Sequence, residues 1–175
     1  MMKKNMLLTL MLFVAMSIQA QSLIGTWKTA PTVDEDGDAT TWFFTFKQGT
    51  QFSLRMEMAT EDKEIGKIVF GLTMPGTYTK SGSTITIKLD PKKSVGKIEK
   101  MELTGDLAAL IKDSPEMKKT IEKMLQEQVD NEIKKGFEDQ PPFDGDLTII
   151  KLTSNQLELQ SDDEMMNFTR VQQKK

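Results

Sequence analysis

Chemistry on this chain has few side chains to work with. It contains no His and no Cys, so Ser–His–Asp triads, thiol nucleophiles and His-rich zinc sites are all excluded. Carboxylates, lysines, hydroxyls and a single Tyr remain. In Asp34–Glu35–Asp36–Gly37–Asp38, three aspartates fall at alternate positions, a spacing that can offer oxygen ligands to Ca²⁺. The calcium-loop pattern then fails. Gly37 precedes the third aspartate instead of following it, and Thr45 stands where a bidentate Glu is required. An acidic loop joining the first two strands accounts for the stretch. Asp144 with Asp146, and Asp162 with Asp163, could be cast as general acid and base. Each pair lies beside Gly or polar residues between strands, where solvated turns place such acids without the burial that shifts their pKa. No catalytic residue, metal or cofactor is therefore expected, and the chain reads as a non-enzyme.

The chain's beginning bears on compartment. Lys3 and Lys4 precede an apolar stretch from Met6 to Met16 broken only by Thr9, and Ala20 offers a small residue before Gln21. This is the layout of a secretory signal over residues 1–20, although Ile18 departs from the ideal small residue at the third position before the cut. The apolar run is shorter than the ~20 residues that span a bilayer. Without Cys there is no lipobox and no disulfide. The expectation is export to the periplasm or beyond the cell, not as a lipoprotein, with no membrane span once the signal is removed. Cleavage leaves residues 21–175 as one domain. The signal holds two of the 23 basic residues, leaving 21 against 26 acidic ones. A mildly acidic chain of mixed signs lacks the concentrated basic face that nucleic acid demands.

The elements show in the hydrophobic period. Trp42, Phe44 and Phe46 share one face, with Thr41, Thr45 and Lys47 on the other; after Lys47–Gln48–Gly49–Thr50, Phe52, Leu54, Met56 and Met58 alternate with polar residues. This is a hairpin with one apolar and one wet face. Further alternation runs from Ile68 to Met74, ending at a turn expected at Pro75–Gly76. Ile85, Ile87 and Leu89 follow the Ser81–Gly82–Ser83 turn, and Asp90–Pro91 ends that strand. A strand over Lys97–Leu103 carries a phase slip after Ile98 that reads as a bulge. Three more strands, Leu147–Leu152, Gln156–Gln160 and Met166–Val171, close the chain. One segment switches to helical spacing. Ser114 is an N-cap before Pro115, then Met117, Ile121, Met124, Leu125, Val129 and Ile133 recur, with Gly136 as the expected stop. A shorter helix can precede it at Leu107–Lys112, and the insert's apolar face is expected either to cover one end of the strands or to bind a partner.

Taken in order, these pieces resemble the small exported bacterial lipocalin-like (calycin) proteins. The carriers of the likeness are Gly25–Thr26–Trp27 near the mature start, Gly76–Thr77–Tyr78 followed by Gly82–Ser83–Thr84–Ile85–Thr86–Ile87, and Leu157–Glu158–Leu159 with Phe168–Thr169–Arg170 at the end. The departure is the helical insert at 107–136, since typical lipocalins place their long helix after the eighth strand. The resemblance implies a mostly β fold, an antiparallel up-and-down barrel of eight to ten strands. It also implies that Arg170 lies across Trp27 to close the barrel, with Gly25 beside them. Trp42, Phe44, Phe46, Phe52, Leu54, Met56, Ile85 and Ile87 then face inward. They either line a cavity for a small apolar ligand or fill a solid core. In the second case the barrel is an envelope-accessory or interaction module whose protein partner stays open.

Overall fold

The computed structural model describes residues 22–62, 66–112, 114–129, 131, 134–139, 141–162 and 164–172. The signal expected over residues 1–20 lies outside them, as do Ile133 and Asp163.

In chain order the elements are β1 (Gly25–Thr29), β2 (Thr32–Val33), β3 (Ala39–Phe46), β4 (Gln51–Asp62), β5 (Gly66–Ser81) and β6 (Thr84–Leu89). A 3-10 turn over Pro91–Lys93 and β7 (Val95–Leu103) follow. Among the described residues the helices α1 (Gly105–Lys112), α2 (Pro115–Gln128) and α3 (Lys134–Asp139) come next, with π-helical backbone at Val129 and Asn131. The last strands are β8 (Gly145–Leu152), β9 (Gln156–Ser161) and β10 (Glu164–Arg170). Eight strands close a ring in the order β1, β3, β4, β5, β6, β8, β9, β10 and back to β1, each pair antiparallel. Closure leaves the ring without a free margin. β2 and β7 lie off it, on β3 and β5 respectively. The helical insert enters between the fifth and sixth strands of the ring.

Period-two alternation does what it predicts. Phe44, Phe46, Phe52, Leu54, Met56, Leu72, Met74, Ile85, Ile87, Leu147, Leu157, Leu159 and Phe168 are buried in one continuous core with Trp27. The partners across β4 are polar and face out. There Arg55 bonds Glu57 at 2.7 Å and also Glu99, and its guanidinium sits 4.8 Å from the Phe43 ring centre. These side chains are partly exposed, so the ion pairs contribute little stability. They do tie β3, β4 and β7 together on the wet side.

The turn expected at Pro75–Gly76 does not form. β5 runs straight through both residues for 16 residues. In a strand the N–H and C=O of one residue point the same way, and the Pro75 carbonyl accepts from the Asp90 N–H at 2.8 Å. The ring nitrogen therefore faces the junction where β6 gives way to β7. β6 pairs with 76–81 and β7 with 66–73. A proline is tolerated there because no ladder bond is required of it. The bulge after Ile98 is present: Val69 faces Lys100 and Phe70 faces Ile98, so Glu99 is the extra residue. Its side chain lies over Gly71, where any Cβ would meet Glu99 Oε1 at 2.5 Å.

The insert begins as expected and ends differently. Ser114 Oγ accepts from the Met117 N–H at 3.4 Å, with Pro115 opening the helix. However, helical backbone carries on past Gln128, where the Val129 N–H donates to the carbonyls of Leu125 and Gln126, and Gly136 lies inside α3. Gly136 is thus not a helix stop. Nor does one apolar stripe cover the barrel. Met117 and Met124 are exposed, whereas Val129 is buried apart from the main core, and α2 packs along β7, where Gln126 Nε2 donates to the Gly96 carbonyl at 2.9 Å. No helix among the described residues is long and apolar enough to cross a membrane.

Candidate functional site

Asp34, Asp144 and Asp146, among the acids singled out for chemistry, are engaged by turn and strand groups. Asp34 Oδ1 accepts from the N–H groups of Asp36 and Asp38 at 3.0 and 2.9 Å, which fastens the turn between β2 and β3. Asp144 Oδ1 accepts from the Leu89 N–H at 2.7 Å, and Asp146 Oδ1 from the Thr86 hydroxyl at 2.6 Å. Both hold the start of β8 against β6. These are turn and strand-junction bonds, as carboxylates beside Gly make.

The ring closes around Trp27. On β1 it stands opposite Arg170 of β10 and Phe44 of β3. The indole is fully buried, and its Nε1–H donates to the Leu23 carbonyl at 2.8 Å. The Arg170 guanidinium lies 4.2 Å from the ring centre. Its Nη1 and Nη2 donate to the carbonyls of Ile24 and Ser22 at 2.9 and 2.5 Å. One side chain thereby fixes the entry of the chain into β1 and stacks on the first strand's Trp. A cation over an indole is worth ~0.5–2 kcal/mol.

Gly25 makes this arrangement possible. Its φ is +138°, and a Cβ there would stand 2.7 Å from Arg170 Nη1. Arg170 could swing aside, but the backbone could not relax without moving β1. Gly25→Ala is expected to cost about 1–3 kcal/mol, read as a lower urea midpoint with unchanged slope. A midpoint equal to that of the parent would mean that Gly25 is not confined by the ring.

First and last strands tied by a cation on a tryptophan, with the other six strands of an antiparallel ring between them, settle the architecture. The fold is lipocalin-like. No family model matches the sequence, and no curated protein matches it. Among solved structures the chain is similar to a lipocalin-like protein from Bacteroides uniformis ATCC 8492, at 17% identity and a TM-score of 0.41, over 85% of this chain and 98% of that one. What makes the barrel lipocalin-like is its own ring of strands and the Trp27–Arg170 clasp.

The structure brings all eight predicted lining residues to the interior of this lipocalin-like barrel. Phe44, Phe46, Phe52, Leu54, Met56, Ile85 and Ile87 are buried, and Trp42 is half-buried. Ring contacts run through the middle: Phe44 to Phe52 at 5.4 Å, Phe46 to Phe52 at 5.0 Å and Phe44 to Phe168 at 4.6 Å between centres. Tyr78 meets Phe46 at 5.0 Å, and its hydroxyl leaves the apolar space to donate to the Lys47 carbonyl at 3.1 Å. Among the described residues the one buried polar side chain is Ser94, outside this cluster. The interior therefore offers apolar contact and no charge.

Two residues that sequence reasoning passed over complete the site. Phe137 of α3 and Phe143, in the loop before β8, pack against the core from outside the strands. Both meet Trp42 edge-on, at 6.2 and 5.1 Å, and Phe143 also reaches Phe44 at 5.2 Å. Phe143 holds φ +62°, in the left-handed region that a bulky residue rarely adopts. Their only sequence signal was an aromatic beside Gly136 and another after Pro141–Pro142. Neither obeys the period of a strand.

Proposed function

We propose that this chain is an exported lipocalin-like binding protein that takes a small apolar molecule into the end of the barrel bounded by Trp42. Export rests on the signal-like residues 1–20, ahead of the barrel; the destination is the periplasm or the cell exterior. The carrying observation is the half-buried Trp42, the point where the apolar interior meets side chains supplied by α3 and the loop before β8 instead of by strands. Binding pockets for small molecules are mostly apolar with few polar groups, and this interior fits that description without offering groups for catalysis.

A second reading has its own observation. The contacts among Phe44, Phe46, Phe52 and Phe168 fill the middle of the barrel, as side chains often do in small barrels. A solid barrel would act as an envelope-accessory module, with its loops or helices on a protein partner. Native mass spectrometry of the protein from a heterologous host separates the two. A bound apolar molecule is expected as added mass on the folded ion, lost on activation. Folded protein free of added mass, and unable to take up N-phenyl-1-naphthylamine, would leave the accessory reading in place.

A further inference from the structure

We infer that Phe137 and Phe143 are a built-in occupant of the binding end of the barrel, and that a ligand ring enters by replacing them against Trp42 and Phe44. This rests on the binding reading above and names where and how the ligand fits. Both rings sit as an aromatic guest would, edge-on to Trp42 with interplanar angles of 87° and 88°. Edge-to-face packing is the arrangement that aromatic pairs favour. Neither ring belongs to the barrel wall, so both can leave without breaking a ladder bond.

The elements that carry them are weakly held by their own chemistry. α3 has six residues, Gly136 is in its interior, and nothing lies within 4 Å of the place where that residue's Cβ would be. An internal Gly lowers the intrinsic stability of a helix. α3 is packed on the Pro91–Lys93 turn. Phe143 holds φ +62°, a costly conformation for a bulky residue, while its ring meets Trp42 and Phe44. A guest ring that takes over those contacts lets the Phe143 backbone relax. The plug is thus biased to yield to a compact apolar molecule carrying a ring, and the uncharged lining disfavours a buried ionic group.

The test is titration with N-phenyl-1-naphthylamine, a neutral probe that brightens in apolar surroundings, against the parent, Phe143→Gly, and Phe137→Ala with Phe143→Gly. Glycine suits the positive φ, so the single variant keeps its fold even where the double one does not, and far-UV circular dichroism checks both. Removing a competing aromatic contact is expected to tighten probe binding about tenfold and to speed its association. Binding by the variants alone, with the parent dark, supports the plug equally. Equal affinity in parent and variants overturns the plug and leaves the binding reading standing. Darkness in all three overturns both.

Discussion

Trp27→Ala loses about 3–5 kcal/mol of stability, the cost of emptying a buried large aromatic site. The indole is fully buried, donates to the Leu23 carbonyl and carries the Arg170 guanidinium on its face. Truncation removes all three interactions where the ring of strands is joined. The vacated space cannot collapse easily, because β1 is hydrogen-bonded on both sides, to β10 and to β3. Urea denaturation followed by circular dichroism measures the loss. Trp27→Phe retains most of the apolar area but neither the Nε1–H nor the larger π face, so it should fall between parent and alanine variant. A melting temperature for Trp27→Ala close to that of the parent would mean that β1 and β10 are not joined through this residue.

Phe44→Ala should cost a similar ~3–5 kcal/mol, with a consequence that Trp27→Ala does not share. Phe44 is fully buried and touches Phe46, Phe52, Phe143 and Phe168. Its removal opens a hollow walled by rings at the centre of the barrel. Apolar cavities made in this way stay dry and accept benzene-sized guests. The variant is therefore expected to bind benzene or N-phenyl-1-naphthylamine and to regain part of its lost stability in their presence, by mass action on the folded state. Calorimetric melting with and without saturating benzene reads both effects. A Phe44→Ala protein that is destabilised yet gains nothing from benzene would mean that neighbouring rings collapse into the gap.

Much of the fold is written in local pattern. Alternation from Trp42 to Phe46 and from Phe52 to Met56 specifies which side chains face inward, because the side-chain period of a strand is two whatever it pairs with. The turns at 47–50 and 81–83, the Ser114 cap and the slip after Ile98 are likewise short-range, readable from a few neighbouring residues. Acid residues at the turns follow the same logic: Asp34 bonds backbone two and four residues on.

What the tertiary structure alone decided involves residues far apart in the chain. Pro75 and Gly76 carry a turn composition, yet the strand passes through them because the strand beside it is broken at that point. Gly136 carries the composition of a helix stop, yet it lies inside α3, which packs on the Pro91–Lys93 turn. Phe137 and Phe143 reach Trp42 across about 100 residues of sequence, outside any period that a window could detect. Residue order states which face of each strand is apolar. The register around the closed ring determines which side chains share that interior, and register is a property of pairs of strands that no single segment contains.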